Sequence, residues 1–359
     1  MKTKKRILVA PLDWGIGHAS RCIPIIRELL KSDFEVVITA NGRSEVLLRN
    51  EFPQLQFIEI KGYNIQYPKN GDMTWIMFIQ APKIFFGILK EHKTLHTIID
   101  KYKIDGIISD NRFGMWSKKI PSVFITHQLE IQSKYFTNLI SKINFFFINK
   151  YTECWVPDFK DNYLAGNLSE NRQQKKNIKY IGVLSRFDKK ETEKKYDLCF
   201  VISGPEPQRT LFEKMVIDNL EGREEKSIVL LGKPEEKEMN TIGNSKIHPH
   251  LNAEKLNEVF LQSDLIFCRS GYSTIMDLYK VNGKAVFIPT PGQTEQEYLA
   301  EYFDEKGICF TQSQSNFNIE EAMLRSTDYS GFTFSEKKEI DWKKIFTIFQ
   351  HKENSIRIN

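Results

Sequence analysis

The chain has 359 residues, 41% of them hydrophobic and 27% charged, with a formal net charge of +5. That length exceeds what a single core ordinarily reaches and predicts two domains of a globular protein. The charge gathers in lysine clusters at 2–6, 175–179 and 189–195 without zinc spacing or an RNA-binding signature, which fits anionic ligands or an acidic membrane face better than nucleic acid. Cys22, Cys154, Cys199, Cys268 and Cys309 are scattered in apolar runs and read as reduced core residues of a cytoplasmic protein. The apolar run 7–10 is too short for a signal peptide, and no apolar run of about 18 residues predicts a membrane span.

The first half alternates strand-like runs, RILVA (6–10), FEVVITA (34–40), QFIEI (56–60), DGIISD (105–110), PSVFIT (121–126) and ECWVP (153–157), with helical stretches. That alternation predicts a parallel sheet covered by helices on both faces, with ligands beyond the carboxyl ends of its strands. The first such loop is PLDWGIGHASRC (11–22). Gly15 and Gly17 let backbone approach a ligand, and a helix starting near Ser20 offers free N–H groups to an anion. A third glycine is missing and no acidic residue closes the second strand, which favours a phosphate or a sugar over a bound dinucleotide. His18 is placed to exchange a proton near neutral pH, against the plainer role of bracing the turn, and Arg21 reads as a phosphate or structural contact.

Further along, Phe85, Ile88, Leu89, His92, His96 and Ile99 recur at helical spacing, and Trp75, Met77, Phe78 and Phe86 widen the apolar surface. The spacing predicts core packing, with a surface for a lipid-linked acceptor as the alternative. Asp110, Asn111 and Arg112 end the fourth run, while His127 and Gln128 end the fifth, with Asn111, Arg112 and Gln128 as candidate substrate contacts. In a doubly wound sheet both clusters lie near the first loop, so that His18, Asp110 and His127 form a candidate base with its orienting partners.

Polar sequence from 160, closed by IKYIGVLSRF (178–187), marks the passage to a second unit. DLCFVISG (197–204), SIVLLG (227–232), DLIFCRSG (264–271), KAVFIPTPG (284–292) and GICF (307–310) predict a second doubly wound sheet. Ser203 and Gly204 follow its first strand and can present N–H groups to a phosphate. In CRSGYSTIMD, Ser270, Gly271, Ser273 and Thr274 ring a helix start suited to a diphosphate, and Asp277 one turn on suits the hydroxyls of a ribose. Gln293, Glu295 and Gln296 open the next helix, where an acidic residue is ordinary capping. The last helical stretch aligns Ile340, Trp342, Ile345, Phe346 and Phe349 on one face, expected to pack back on the first domain.

These motifs resemble the family 28 glycosyltransferases of GT-B architecture over nearly the whole chain. GIGHASR is similar to that family's glycine-rich loop, THQLEIQSKYFTNLISK (126–142) to its acceptor-side segment, and GVLSRF (182–187) to the hinge that carries an arginine, here Arg186, to the donor. CRSGYSTIMD followed by GQTEQEYLA is the most specific likeness. The resemblance implies an α/β fold of two Rossmann-like domains facing a cleft. Residues 1–185 would bind the acceptor, 186–335 the nucleotide sugar, and 336–359 would return to the first domain. It assigns the donor phosphates to Ser270, Gly271, Ser273 and Thr274, the ribose to Asp277, the sugar to Glu295 and Gln296, and the uracil edge to His250 and Leu251. Asp13 and Trp14 occupy part of the usual glycine run, Asp277 replaces a glutamate, and SGPEPQR is poorer in glycine than its counterpart. The implied activity is metal-independent and cofactor-free transfer from a UDP-sugar, with UDP-N-acetylglucosamine the first candidate. The implied acceptor is lipid-linked or part of the cell envelope, reached from the cytoplasmic side of the inner membrane. The loop GIGHASRC is also similar to that of a related UDP-sugar hydrolase, so hydrolysis, or nucleotide-sugar binding without turnover, stands as the alternative.

Overall fold

A computed structural model describes residues 4–13, 16–60, 62, 73–131, 137–161, 163–335 and 339–350. Gly15, one of the candidate binding residues, lies outside them, as do Trp14 and the C-terminal residues 351–359. The described residues build two seven-stranded sheets in succession. The first runs in the order β3-β2-β1-β4-β5-β6-β7, all parallel, from β1 (Arg6–Pro11), β2 (Glu35–Ala40), β3 (Gln56–Glu59), β4 (Gly106–Asp110), β5 (Ser122–Ile125), β6 (Glu153–Val156) and β7 (Ile178–Tyr180). Its central strands are apolar without alternation because helices cover both faces: Ile7 to Ala10 and Ile107 to Ile108 are wholly buried. Those helices are α1 (Ile16–Lys31), α2 (Gly42–Glu51), α3 (Met73–Tyr102) and α4 (Thr137–Ile148).

Residues 181–195 carry no regular structure and lead into the second sheet. Its order is β10-β11-β9-β8-β12-β13-β14, from β8 (Tyr196–Val201), β9 (Ser227–Leu230), β10 (Asn240–Ile242), β11 (Ser245–His248), β12 (Ser263–Cys268), β13 (Ala285–Phe287) and β14 (Phe310–Thr311). The helices around it are α5 (Gln208–Asp218), α6 (Ala253–Leu261), α7 (Tyr272–Val281), α8 (Thr294–Glu305) and α9 (Ile319–Ser326). Only β10 runs antiparallel, paired with β11. The sequence reading missed this edge hairpin because NTIGNSKIH is short and polar, although Gly243, at φ +52°, with Asn244 makes the two-residue turn a hairpin requires.

The chain ends in α10 (Trp342–Gln350), which sets Phe346 and Phe349 against Phe34 and Trp155 of the first sheet at ring separations of 5.8–6.4 Å. Gly106 accommodates this return, since a β-carbon there would lie 2.4 Å from the Phe349 ring.

The two sheets meet through their loops. Ser273 Oγ donates to Gly17 O (2.9 Å), Tyr302 Oη to Tyr163 O (2.9 Å), and Arg43 Nη2 to Gly232 O (3.0 Å) and Glu235 (2.9 Å). Helix α1 starts at Ile16 rather than near Ser20, because Ile16 packs against the core and draws the first turn back through Gly17. Its start thereby comes against α7, and a β-carbon on Gly17 would sit 3.2 Å from Ser273 Oγ. Here the absence of a side chain permits the close approach.

Candidate active site

Beyond the carboxyl ends of β1, β4 and β5, one connected polar network spans the cleft. Its centre is Arg21 on the second turn of α1, which donates through Nε to Asp110 Oδ2 and through Nη2 to Asp110 Oδ1 (2.5 Å). Burial opposes a charge on Asp110, but Arg21 and His18 outweigh it and hold the carboxyl below its ordinary value of 3.8. His18 Nδ1 lies 2.7 Å from Asp110 Oδ1 and 2.8 Å from Arg21 Nη2. Since Nη2 already donates to Asp110, the carboxylate selects the tautomer with hydrogen on Nδ1, leaving Nε2 of His18 as an acceptor. The side chain of His18 is 21% exposed, whereas those of Asp110 and Arg21 are buried, so of these three the imidazole is the part open to the cleft.

His127 has a different part. Its Nδ1 accepts from Arg21 Nη1 (3.2 Å) and its Nε2 donates to Glu295 Oε1 (2.7 Å), while its ring stacks on Tyr272 with centroids 4.0 Å apart. Burial, helped by Arg21 and His18 against the pull of Glu295, keeps this imidazole below its ordinary 6.5 and neutral at pH 7. With both nitrogens engaged, His127 stands as an orienting member of the network rather than as its open base. Gln128 Nε2 donates to the other oxygen of Glu295 (2.5 Å), so this residue of α8 is a clasp between the sheets rather than a plain helix cap. Burial disfavours its charge, but His127 and Arg21 hold its carboxyl below the ordinary range. Arg21 is likewise a keystone within the network and not an exposed anion contact.

Asn111, at φ +54°, turns the chain after β4. With its amide oriented to suit its neighbours it donates to Ile125 O and Thr126 Oγ1 and accepts from Arg21 Nη2. That turn sends the next side chain away from the cleft: Arg112 is fully buried, with Nε on Glu91 Oε1 (2.6 Å), and is not the ligand contact the sequence suggested. The missed signal was Glu91, which lies on the buried face of α3.

Across the cleft, Gly271 caps α7 and a β-carbon there would meet nothing within 4 Å, so this turn opens outward. Ser273 and Thr274 lie half-buried in its first turn, and Ser270 is buried, its Oγ on Gln296 O (2.6 Å). Gln296 also accepts from Thr290 N (2.9 Å) and donates to Gln293 Oε1 (2.6 Å), so Gln293 and Gln296 brace the turn before α8. Ser203 and Gly204 follow β8 beside that turn, with Gly204 at φ +118°. Asp277 is buried and receives Ser185 Oγ (2.7 Å) and Arg186 Nε (3.2 Å). Burial raises its carboxyl above 3.8 despite both partners. His250 and Leu251 lie half-buried after β11, where burial and the charge of nearby Arg186 lower the His250 imidazole.

Neither α1 nor α7 has an acidic residue in its first turn, yet their starts are joined by the bond from Ser273 to Gly17. Helix starts that carry no acidic residue of their own are suited to an anion.

Two stretches match family models: residues 198–346 match the glycosyltransferase family 28 C-terminal domain, and residues 5–134 match glycosyl transferase family 1. Among curated relatives, the UDP-N-acetylglucosamine--N-acetylmuramyl-(pentapeptide) pyrophosphoryl-undecaprenol N-acetylglucosamine transferase of Buchnera aphidicola is 24% identical, over 88% of this chain and 87% of its own. The Haemophilus influenzae transferase of the same description is 21% identical, over 88% of both. Among solved structures, Acinetobacter baumannii MurG superposes with a TM-score of 0.53 at 13% identity over 98% and 96% of the chains. SnogD, a glycosyltransferase of Streptomyces nogalater, reaches 0.60 at 11% identity over 97% and 100%.

Fold, cleft and family matches together define a glycosyltransferase of GT-B architecture. Residues 198–346 match the family 28 C-terminal domain, and 88% of the chain aligns with the two N-acetylglucosamine transferases.

Proposed function

We propose that this glycosyltransferase takes its sugar from a UDP-sugar, with UDP-N-acetylglucosamine the first candidate, and delivers it to a lipid-linked acceptor at a membrane face. The observation that carries this reading is the pair of unneutralised helix starts, α1 and α7, meeting beside the His18–Asp110 pair. A donor diphosphate fits between those ends, Asp277 would turn from Arg186 and Ser185 towards the ribose, and the acceptor hydroxyl would approach Nε2 of His18. His18 would take the hydroxyl proton as the sugar–phosphate bond breaks, and Asp110, held by Arg21, would stabilise the imidazolium. The helix ends would meanwhile carry the charge of the departing nucleoside diphosphate.

The lipid side of the reading rests on α3 and α4. No described helix is long and apolar enough to cross a membrane. Yet Phe85, Phe86, Leu89, Ile143 and Phe146 are all at least half exposed, around a small cluster of Leu12, Ile88 and Phe147. Lys83, Lys90, Lys93 and Lys142 stand exposed on the same two helices. Helical spacing had suggested a covered face for Phe85 and Leu89; the helix instead buries Ile88, Leu95 and Ile99 and leaves those two outside. An apolar patch with a cationic border suits an anionic lipid surface. Burying one phenylalanine is worth about 1.5–3 kcal/mol, so the double change Phe86→Asp and Phe146→Asp is expected to weaken sedimentation with anionic vesicles by about tenfold or more. UDP affinity should be unchanged.

A panel of UDP-sugars, incubated with and without membrane lipid extract, tests the whole reading. Transfer that requires the extract is the expected result. Release of free sugar without it would replace the transferase by the hydrolase, and binding with no turnover under either condition would leave a nucleotide-sugar-binding protein.

A further inference from the structure

Four arginines are buried in the described residues, and three of them are neutralised: Arg21 by Asp110, Arg112 by Glu91, and Arg209 by Glu206 and Glu213. The fourth, Arg269, directly follows β12 and is 1% exposed. Neutral oxygens alone hold it. Nη1 donates to the carbonyls of Ile288 (2.9 Å) and Pro289 (3.2 Å), and Nη2 to Gln208 O (3.2 Å) and Gln314 Oε1 (2.6 Å). The Phe212 ring lies 4.4 Å from the guanidinium carbon, and Nε has no acceptor among the described residues. Burial pulls the group down to about 10, with no carboxylate to restore it. It therefore stays charged at neutral pH, at a cost in stability that an ion pair would have offset.

The carbonyls that Arg269 grips belong to two turns, the start of α5 and the segment after β13, while its own backbone leads into Ser270 and Gly271 at the start of α7. Those are the loops that would surround the donor's diphosphate. A buried cation acts over distance in a poorly polarisable interior, and one whose own partners are all neutral keeps its whole field for a visiting anion. We propose that Arg269 is a positioning residue for the nucleoside diphosphate, a fixed cation behind the site that ties its three loops together and lends them positive potential without touching the ligand. The proposal rests on the donor reading given above.

Calorimetry with UDP and with uridine separates its parts. Wild type should bind UDP. R269M should weaken UDP by about tenfold or more while changing uridine by less than about twofold, because only the diphosphate responds to the lost charge. R269K, which keeps the charge but loses the planar fork, should recover most of the ratio of UDP to uridine affinity. Equal losses for UDP and uridine in R269M, or an unchanged UDP affinity, would overturn the proposal. Thermal melting reports whether R269M folds; if it does not, R269K decides, with a wild-type ratio supporting the proposal and a collapsed ratio overturning it. Failure of the wild type to bind UDP would instead remove the donor reading itself, and this proposal with it.

Discussion

Replacing His18 by alanine is expected to lower sugar transfer by about 10²–10⁴-fold while UDP still binds with nearly its original affinity. The expectation follows from the division of labour in the network. Asp110 and Arg21 are buried and serve each other, His127 has both nitrogens engaged, and His18 alone offers an imidazole nitrogen to the cleft. Its side chain contributes no apolar anchor to the core of the first sheet, so the variant should fold. Initial rates under saturating donor, paired with UDP calorimetry, give the answer. A variant that keeps full activity would reduce His18 to a brace of the turn. One that loses UDP binding together with activity would make it a donor contact.

The second large effect concerns Asp110, whose removal leaves the buried guanidinium of Arg21 without its counter-charge. Breaking a buried pair in this way costs about 3–5 kcal/mol, so Asp110→Ala should lower Tm by roughly 5–10 °C at pH 7. The sign of the pH dependence follows from the direction of the shift. Burial raises the Asp110 carboxyl, but Arg21 and His18 more than reverse this and leave it below 3.8. A carboxyl lowered on folding stabilises fully above its unfolded value and loses that contribution as pH falls through its native one. The difference in Tm between wild type and variant should therefore be constant from pH 7 to about 5 and narrow below the ordinary carboxylate value. A difference that stays constant down to pH 2.5, or widens on acidification, would mean that the Asp110–Arg21 pair does not hold this side of the cleft together.

The doubly wound sheets were legible in the sequence because unbroken apolar runs of four to six residues, each followed by a helical stretch, leave few other arrangements. His18 and Asp110 were legible for a related reason: each sits just past a parallel strand, where such folds gather their polar groups. What joins them was not. Arg21 reaches Asp110 across 89 positions and His127 across 106, and Glu295 meets His127 across 168, so no local spacing announces the network. Arg112 shows the converse error. Adjacency to Asp110 suggested a shared site, yet the left-handed turn at Asn111 points its side chain to the opposite face, into Glu91. Phe85 and Leu89 show a third limit, since a helical stripe reveals a face but not whether anything covers it.

The return of α10 to the first sheet has a mechanical consequence. The chain passes between the sheets twice, once through residues 181–195 and again between α9 and α10, where Phe334 still rests on Tyr279 of α7. One flexible strand would act as a swivel, free to turn in any direction. Two strands tether the sheets at two places and constrain their relative rotation more than one strand would. The clasp of Glu295 on His127 and Gln128 and the bond from Ser273 to Gly17 add noncovalent ties to these two covalent ones, so the loops of α1 and α7 are held in register from both sides of the cleft.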